Sequence, residues 1–329
     1  MADIDKRGLA ILRGMAKYRA QLPQLGTDLF LTDGGLETTL IFHEGVDLPE
    51  FAAFVLLDDP GGVERLRDYF RRYMAVAAEA GLGFVAEAAT WRANPDWAAK
   101  LGYDAARLAD VNRRAIEMLV ELRPEYEEAA RAPFVVSGAI GPRGDGYAVG
   151  ARLAPDEAER YHSQQIRTFA ATEADLVTAF TMTHVGEAVG VARAAAAAGI
   201  PSVIGFTVET DGRLPSGQAL GDAVAEVDAA TGAAPAYYMV NCAHPTHFDA
   251  VLAGGESGWV SRVRALRANA SRMSHAELDE APEVDAGDPD EFGALNASLR
   301  GRLAQLTVLG GCCGTDDRHV AAIGRSCAP

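Results

Sequence analysis

A short β-like run followed by a helical stretch recurs eight times along this 329-residue chain, and that alternation restricts its fold more than any other feature. The strand-like runs are Leu29–Thr32, Phe84–Ala88, Phe134–Ile140, Asp175–Thr181, Ser202–Val208, Ala236–Asn241, Trp259–Arg267 and Leu306–Leu309. Between them the pattern predicts helices over Val63–Ala80, Ala105–Ala130, a stretch opening at Pro155, the Ala-rich Val185–Ile200 region, Ala219–Ala230, His247–Leu252, Phe292–Leu303 and Asp316–Arg325. Strands that alternate with crossover helices pair in parallel. Eight such units at this length fit an α/β fold of the closed (β/α)8 type, a TIM barrel, better than its competitor, a doubly wound open sheet. No linker rich in Gly, Pro or Ser divides the chain. We therefore expect one domain over 1–329, with 1–25 as an N-terminal helical extension.

A barrel of this kind carries its active site at the C-terminal ends of its strands, and the unusual residues fall there. Asp33, Gly34 and Gly35 follow the first strand, Glu87 and Thr90 the second, Gly141-Pro142-Arg143-Gly144 the third, and Glu209 and Asp211 the fifth. Asn241-Cys242 ends the sixth and Gly310-Gly311-Cys312-Cys313-Gly314 the eighth. In a regular strand, neighbouring side chains point to opposite faces. For Cys312 and Cys313 to reach one ion the backbone must leave the strand conformation, and we expect Gly310, Gly311 and Gly314 to supply that freedom. Cys242 would complete a three-thiolate site with a fourth tetrahedral position left open, the arrangement of catalytic zinc. The competing reading is three small buried residues. Cys327 lies outside the constellation.

Composition bounds the partners. A net charge of −16 argues against nucleic acid and anionic membrane surfaces, which want a basic face. Charged residues interrupt the first twenty positions, so no apolar signal segment is expected, and no run reaches the length of a membrane span. Four cysteines in a chain this long are not a disulfide scaffold, which points to reduced thiols and a cytoplasmic setting.

The sequence resembles the homocysteine S-methyltransferase family. The pieces that carry the resemblance are LTDGGLETTL at 31–40, SGAIGPRGDGY at 137–147, GRLPSGQAL at 212–220, VNCAHP at 240–245 and GGCCGT at 310–315. The resemblance implies a (β/α)8 barrel and Zn2+ held by Cys242, Cys312 and Cys313. It implies that Asp33 and the Gly34-Gly35 backbone hold an amino-acid thiol, and that Asn241 adjoins the metal. It also implies methyl transfer from a cationic donor (S-methylmethionine, S-adenosylmethionine or a betaine) to homocysteine, giving methionine. One position departs: Phe180 stands where the family carries a glutamate that binds the homocysteine ammonium, beside Thr181. Glu87 and Glu209 are the candidates to replace that carboxylate, and a different thiol acceptor is the alternative.

Other residues are read more plainly. His184, His244 and His247 are expected at helix caps or on the surface, and His275 in solvent within the acidic loop 271–291, which is either a lid or an unstructured excursion. Gly141–Gly146 lacks the spacing of a phosphate loop and is read as pocket wall. Two rival functions remain at this stage: a zinc hydrolase, which a sulfur-only ligand set disfavours, and a thiol- or zinc-binding protein without turnover. The sequence leaves the oligomeric state open.

Overall fold

The structure, a computed structural model, describes residues 16–328 except 151, 255–257 and 282. Eight parallel strands close into a barrel in chain order. They are β1 (Phe30–Leu31), β2 (Gly83–Glu87), β3 (Phe134–Ile140), β4 (Leu176–Met182), β5 (Ser202–Phe206), β6 (Tyr237–Asn241), β7 (Val263–Ala268) and β8 (Val308–Gly311). β8 closes on β1 through Val308 opposite Phe30 and Leu309 opposite Leu31. Around them lie α1 (Pro60–Glu79), α2 (Pro95–Lys100), α3 (Ala105–Ala130), α4 (Pro155–Ala170), α5 (Val185–Ala198), α6 (Leu220–Thr231), α7 (Pro245–Ala253), α8 (His275–Glu280), α9 (Pro289–Arg302) and α10 (Asp317–Cys327).

The strands are continuous apolar runs because both of their faces are covered. Every residue of β3 is buried, as expected of parallel strands with helices outside and a packed interior. The interior is filled by Phe30, Val85, Val135, Leu176, Val203, Tyr237 and Val308, with Leu22 entering from the N-terminal segment. Helix starts follow from side-chain caps. Asp59 accepts from Gly62 N at 2.9 Å ahead of Pro60, and Asp104 accepts from Arg107 N at 2.8 Å. Two helices stop at a left-handed glycine: α5 at Gly199 (φ 68°) and α6 at Gly232 (φ 64°).

Several boundaries differ from expectation. β7 begins at Val263, because Val260–Arg262 forms a 3-10 turn. β8 extends through Gly310 and Gly311, which the sequence reading placed beyond it. The first part of loop 271–291 is helical, with a reciprocal cap between Ser274 and Glu277 starting α8. Of the expected N-terminal helix, residues 1–15 lie outside the described residues. Residues 16–25 contain one 3-10 turn, Pro23–Leu25, and no α-helix. No helix among the described residues is long and apolar enough to cross a membrane.

That N-terminal segment is held under the barrel by an ion pair. Asp175, just before β4, accepts from Tyr18 N at 2.7 Å, Val136 N at 2.9 Å and Arg123 Nη2 at 2.6 Å. The Asp175 side chain is fully buried and that of Arg123 is 8% exposed. Deleting one partner of a buried pair strands the other charge. Arg123→Ala should therefore lower unfolding stability by about 3–5 kcal/mol, measured by urea unfolding. A change below about 1 kcal/mol, the value of an exposed pair, would contradict this picture.

Candidate metal and substrate site

The three cysteines meet because β7 lies between β6 and β8. The Cys242 N–H donates to Arg267 O at 3.0 Å and the Cys312 N–H to Ala268 O at 2.8 Å, so both cysteines are anchored on consecutive residues of β7. The Cys242 and Cys312 sulfurs are joined, with their Cα atoms 5.5 Å apart. Cys313 Sγ stands 4.0 Å from Cys242 Sγ, and the three sulfurs lie within 4.8 Å of one another. Ligand sulfurs at about 2.3 Å from one tetrahedral zinc would stand roughly 3.8 Å apart. The triangle therefore fits a single ion once the Cys242–Cys312 pair is reduced. Cys327 is buried in the helical layer, outside this group.

Of the three glycines expected to supply backbone freedom, Gly314 does so, and Gly310 and Gly311 do not. Gly310 and Gly311 are needed for close approach: a Cβ would stand 1.9 Å from Thr32 Oγ1 at Gly310 and 2.0 Å from Thr315 Oγ1 at Gly311. The left-handed residues are Gly314 (φ 76°) and Cys242 itself (φ 54°). Cys242 holds that costly conformation while its carbonyl accepts from His275 Nε2 at 2.8 Å and Thr207 Oγ1 at 3.3 Å. Gly314 N donates to Thr38 Oγ1 at 3.1 Å, fixing the turn after Cys313. The Tyr147 hydroxyl lies 2.9 Å from Cys313 Sγ. Burial, then the neighbouring sulfur, raises the phenol pKa well above its ordinary value.

A cavity of about 450 Å³ opens over the sulfurs. Seven carboxyl residues line it, Asp33, Glu37, Glu87, Asp145, Asp279, Glu283 and Asp285, against two arginines, Arg92 and Arg267. Trp91, Tyr147, Phe180, Phe42 and Phe51 supply aromatic wall. Such a lining favours a cation.

Asp33 and Arg267 form the floor. Asp33 Oδ1 lies 2.8 Å from Arg267 Nη2, off the direction of a hydrogen bond, so it keeps hydrogen-bonding capacity. Its Oδ2 accepts from Tyr69 Oη at 2.9 Å. Burial pushes the Asp33 carboxyl up, while Arg267 and Tyr69 pull it back. Burial opposes the Arg267 charge, yet Asp33 and Glu87 hold it above its usual value. Arg267 Nε donates to Gly311 O at 2.9 Å and Nη2 to Gly34 O at 3.0 Å. The Gly35 N–H is already given to Thr315, both O and Oγ1 at 3.1 Å, so that amide is committed inside the fold.

Glu87 reaches the cavity from β2. Its Oε1 accepts from Thr178 Oγ1 at 3.0 Å, and its buried Oε2 has no hydrogen-bond partner among the described residues. Burial pushes its pKa up to about 7, against the pull of Arg267. Glu37, two residues after Gly35, is half-buried and lines the same cavity, and burial pushes it to about 7 as well. A bulge at the end of β4 brings two consecutive residues, Phe180 and Thr181, to the cavity wall. Thr181 is left-handed (φ 53°), with its N–H donating to Asn241 Oδ1 at 3.1 Å and its Oγ1 accepting from Trp91 Nε1 at 3.2 Å. Asn241 Nδ2 is buried without a partner.

Two expectations are corrected. Glu209 does not line the cavity; it pairs with His275 Nδ1 at 3.2 Å. His275 is not solvated: it is 6% exposed, bridging Glu209 and the Cys242 carbonyl and stacked on Tyr147 at 4.3 Å. From the acidic loop, Leu278, Asp279 and Asp285 face the cavity. His184 and His244 cap α5 and α7, and His247 bonds Arg272 O. Sequence reasoning missed Arg267, Glu37, Arg92, Tyr147 and Tyr69. A buried arginine near the C-terminal end of β7, which also carries Arg264, was the available signal for Arg267.

The homocysteine S-methyltransferase family matches residues 30–327. No individually curated protein matches the chain. Among solved structures, the metallated form of the homocysteine methyltransferase MmuM from Escherichia coli is 18% identical with a TM-score of 0.67, covering 94% of this chain and 99% of that one. The oxidized form of the same protein gives 21% identity and a TM-score of 0.69, over 93% and 98%. At such identities the likeness shows the barrel fold. The family match spans nearly the whole chain, and on it this chain belongs to the homocysteine S-methyltransferase family and is a methyltransferase.

Proposed function

We propose that this enzyme moves a methyl group from a small diffusible sulfonium or quaternary ammonium to a homocysteine-type thiol, with zinc held by Cys242, Cys312 and Cys313. The observation that carries this reading is three sulfurs converging under an acidic, aromatic-walled cavity. When bound, zinc would supply the acidity that keeps an acceptor thiol ionised at neutral pH. A free thiol with a pKa near 8.5 is only a few per cent thiolate at pH 7, so full ionisation is worth roughly 30-fold.

The chain's own residues do the rest. The acceptor ammonium is matched by Glu87 Oε2, with Asp33 Oδ1, which is ion-paired with Arg267 at 2.8 Å, beside it; among the described residues these are the two buried carboxylate oxygens that make no hydrogen bond. Glu87 thereby takes the place of the family glutamate that Phe180 replaces. Phe180, Trp91 and Tyr147 flank the donor's cationic centre. Asn241, fixed by Thr181 N, presents Nδ2 beside Cys242. In the transfer a new S–CH3 bond forms and the donor's C–S or C–N bond breaks, its electron pair leaving on the now neutral donor. The thiol proton goes to solvent. With homocysteine the product is methionine. S-methylmethionine or S-adenosylmethionine is the preferred donor and a betaine the second choice.

A donor-by-acceptor matrix with zinc-loaded, reduced protein tests the reading. Mass spectrometry should find one added methyl on homocysteine with at least one sulfonium or ammonium donor. No transfer across the matrix would refute it. Serine at position 242, 312 or 313 should reduce bound zinc from one equivalent to a small fraction and abolish turnover with the circular dichroism unchanged. Full zinc retention in any one variant contradicts the three-ligand assignment. The ammonium role of Glu87 carries a pH signature. A carboxyl titrating near 7 is ionised only above that pH, so the KM for homocysteine should rise as pH falls below 7. Glu87→Gln should raise that KM roughly 10- to 100-fold and leave the KM for 4-mercaptobutanoate, which lacks the amine, unchanged. Equal losses on both thiols would assign Glu87 a structural role.

A further inference from the structure

One cation of the cavity is unaccounted for by the reading above. Arg92 follows β2 by five residues and leads into α2. It is 8% exposed and lines the cavity. Its guanidinium is held between two indoles, 3.7 Å from the Trp97 ring centroid and 4.2 Å from that of Trp91. Nη1 donates to Gly144 O at 3.2 Å. Nε is buried without a partner, and among the described residues no carboxylate lies within ion-pair distance of this side chain.

A buried arginine whose nearby carboxylates stay beyond ion-pair distance is costly, because its charge has lost water and gained no directly bonded counter-ion. The two indoles fix its plane without satisfying its edge. A guanidinium edge matches the two oxygens of a carboxylate in parallel hydrogen bonds, and a plane already fixed loses little entropy on binding. Burial lowers the charge affinity of Arg92, and Asp145, then Glu37 and Glu50, oppose that without lying within ion-pair distance; Asp145 and Glu37 line the same cavity. The wall therefore presents a cation and an anion that are not spent on each other, the complement of a zwitterion.

We propose that Arg92 binds the carboxylate of the substrate, so that this cavity selects α-amino-acid or betaine-like zwitterions over donors or thiols lacking a carboxylate. This rests on the methyltransfer reading and assigns the residue that recognises the carboxylate of its substrates. The carboxylate belongs to the acceptor or to the donor, and the two are told apart by separate arms.

The test is ligand binding to full-length, reduced, zinc-loaded protein, followed by tryptophan fluorescence, since Trp91 and Trp97 flank the guanidinium. One arm compares homocysteine with homocysteinamide, the other S-methylmethionine with its carboxamide. In at least one arm the amide should bind wild type roughly 10- to 100-fold more weakly. R92Q should weaken the acid by a similar factor and leave the amide unchanged, and R92K, keeping the charge but losing the fork, should fall between. The arm in which the discrimination disappears identifies the substrate that owns the carboxylate. Equal binding of acid and amide by wild type in both arms overturns the proposal, and so does R92Q weakening acid and amide alike. If R92Q does not fold, R92K decides: undiminished discrimination overturns the assignment. Discrimination without methyl transfer keeps Arg92 and removes the function, transfer without discrimination does the reverse, and no binding in either arm removes both.

Discussion

A guanidinium inside a barrel must be neutralised where it sits, and the Arg267–Asp33 pair is the constraint on which this site rests. Arg267 binds the side chain of Asp33 and the carbonyls of Gly34 and Gly311, tying the ends of β1 and β8 to β7. Its own carbonyl accepts from Cys242, drawing in the end of β6. Phe180 of β4 covers the guanidinium at 5.3 Å. A buried pair of this kind is weak evidence for stability, since desolvation offsets most of the attraction. Its value here is positional: the groups that must converge on substrate are attached to one rigid cation.

Two strained residues stand at the same place. Thr181 and Cys242 both adopt left-handed backbone, at φ 53° and 54°. A β-branched residue in that region is rare, and each such residue costs on the order of 1–3 kcal/mol. The two are linked, because Asn241, the neighbour of Cys242, accepts from Thr181 N. Their surroundings enforce the conformation: His275 and Thr207 hold the Cys242 carbonyl, and Trp91 holds the Thr181 hydroxyl. The result is a pair of strand ends turned toward the cavity.

Much of the fold was legible because parallel strands buried on both faces must be apolar throughout. Phe134–Ile140 and Ala105–Ala130 were placed residue for residue for that reason and because Asp104 caps its helix. Strand eight was cut short because glycines read as loop, although Gly310 and Gly311 are demanded by the approach of Thr32 and Thr315. At the site, the cysteines and Asp33 stood out by motif, but partners supplied from distant segments did not. Arg267 lies 234 positions from Asp33, and no local pattern joins them. His275 was misplaced because a polar, acidic loop looks solvated until its helix is seen stacked on Tyr147. Glu209 was assigned to substrate from its strand-end position, and its side chain turned instead to that histidine.

The central claim is a three-sulfur centre with one position free for the acceptor's sulfur. Zinc X-ray absorption on the reduced protein addresses it without relying on turnover. The account predicts three sulfur scatterers at about 2.3 Å plus one lighter atom, changing to four sulfurs when homocysteine is added. Two or fewer sulfurs, or a shell that homocysteine leaves unchanged, would contradict it.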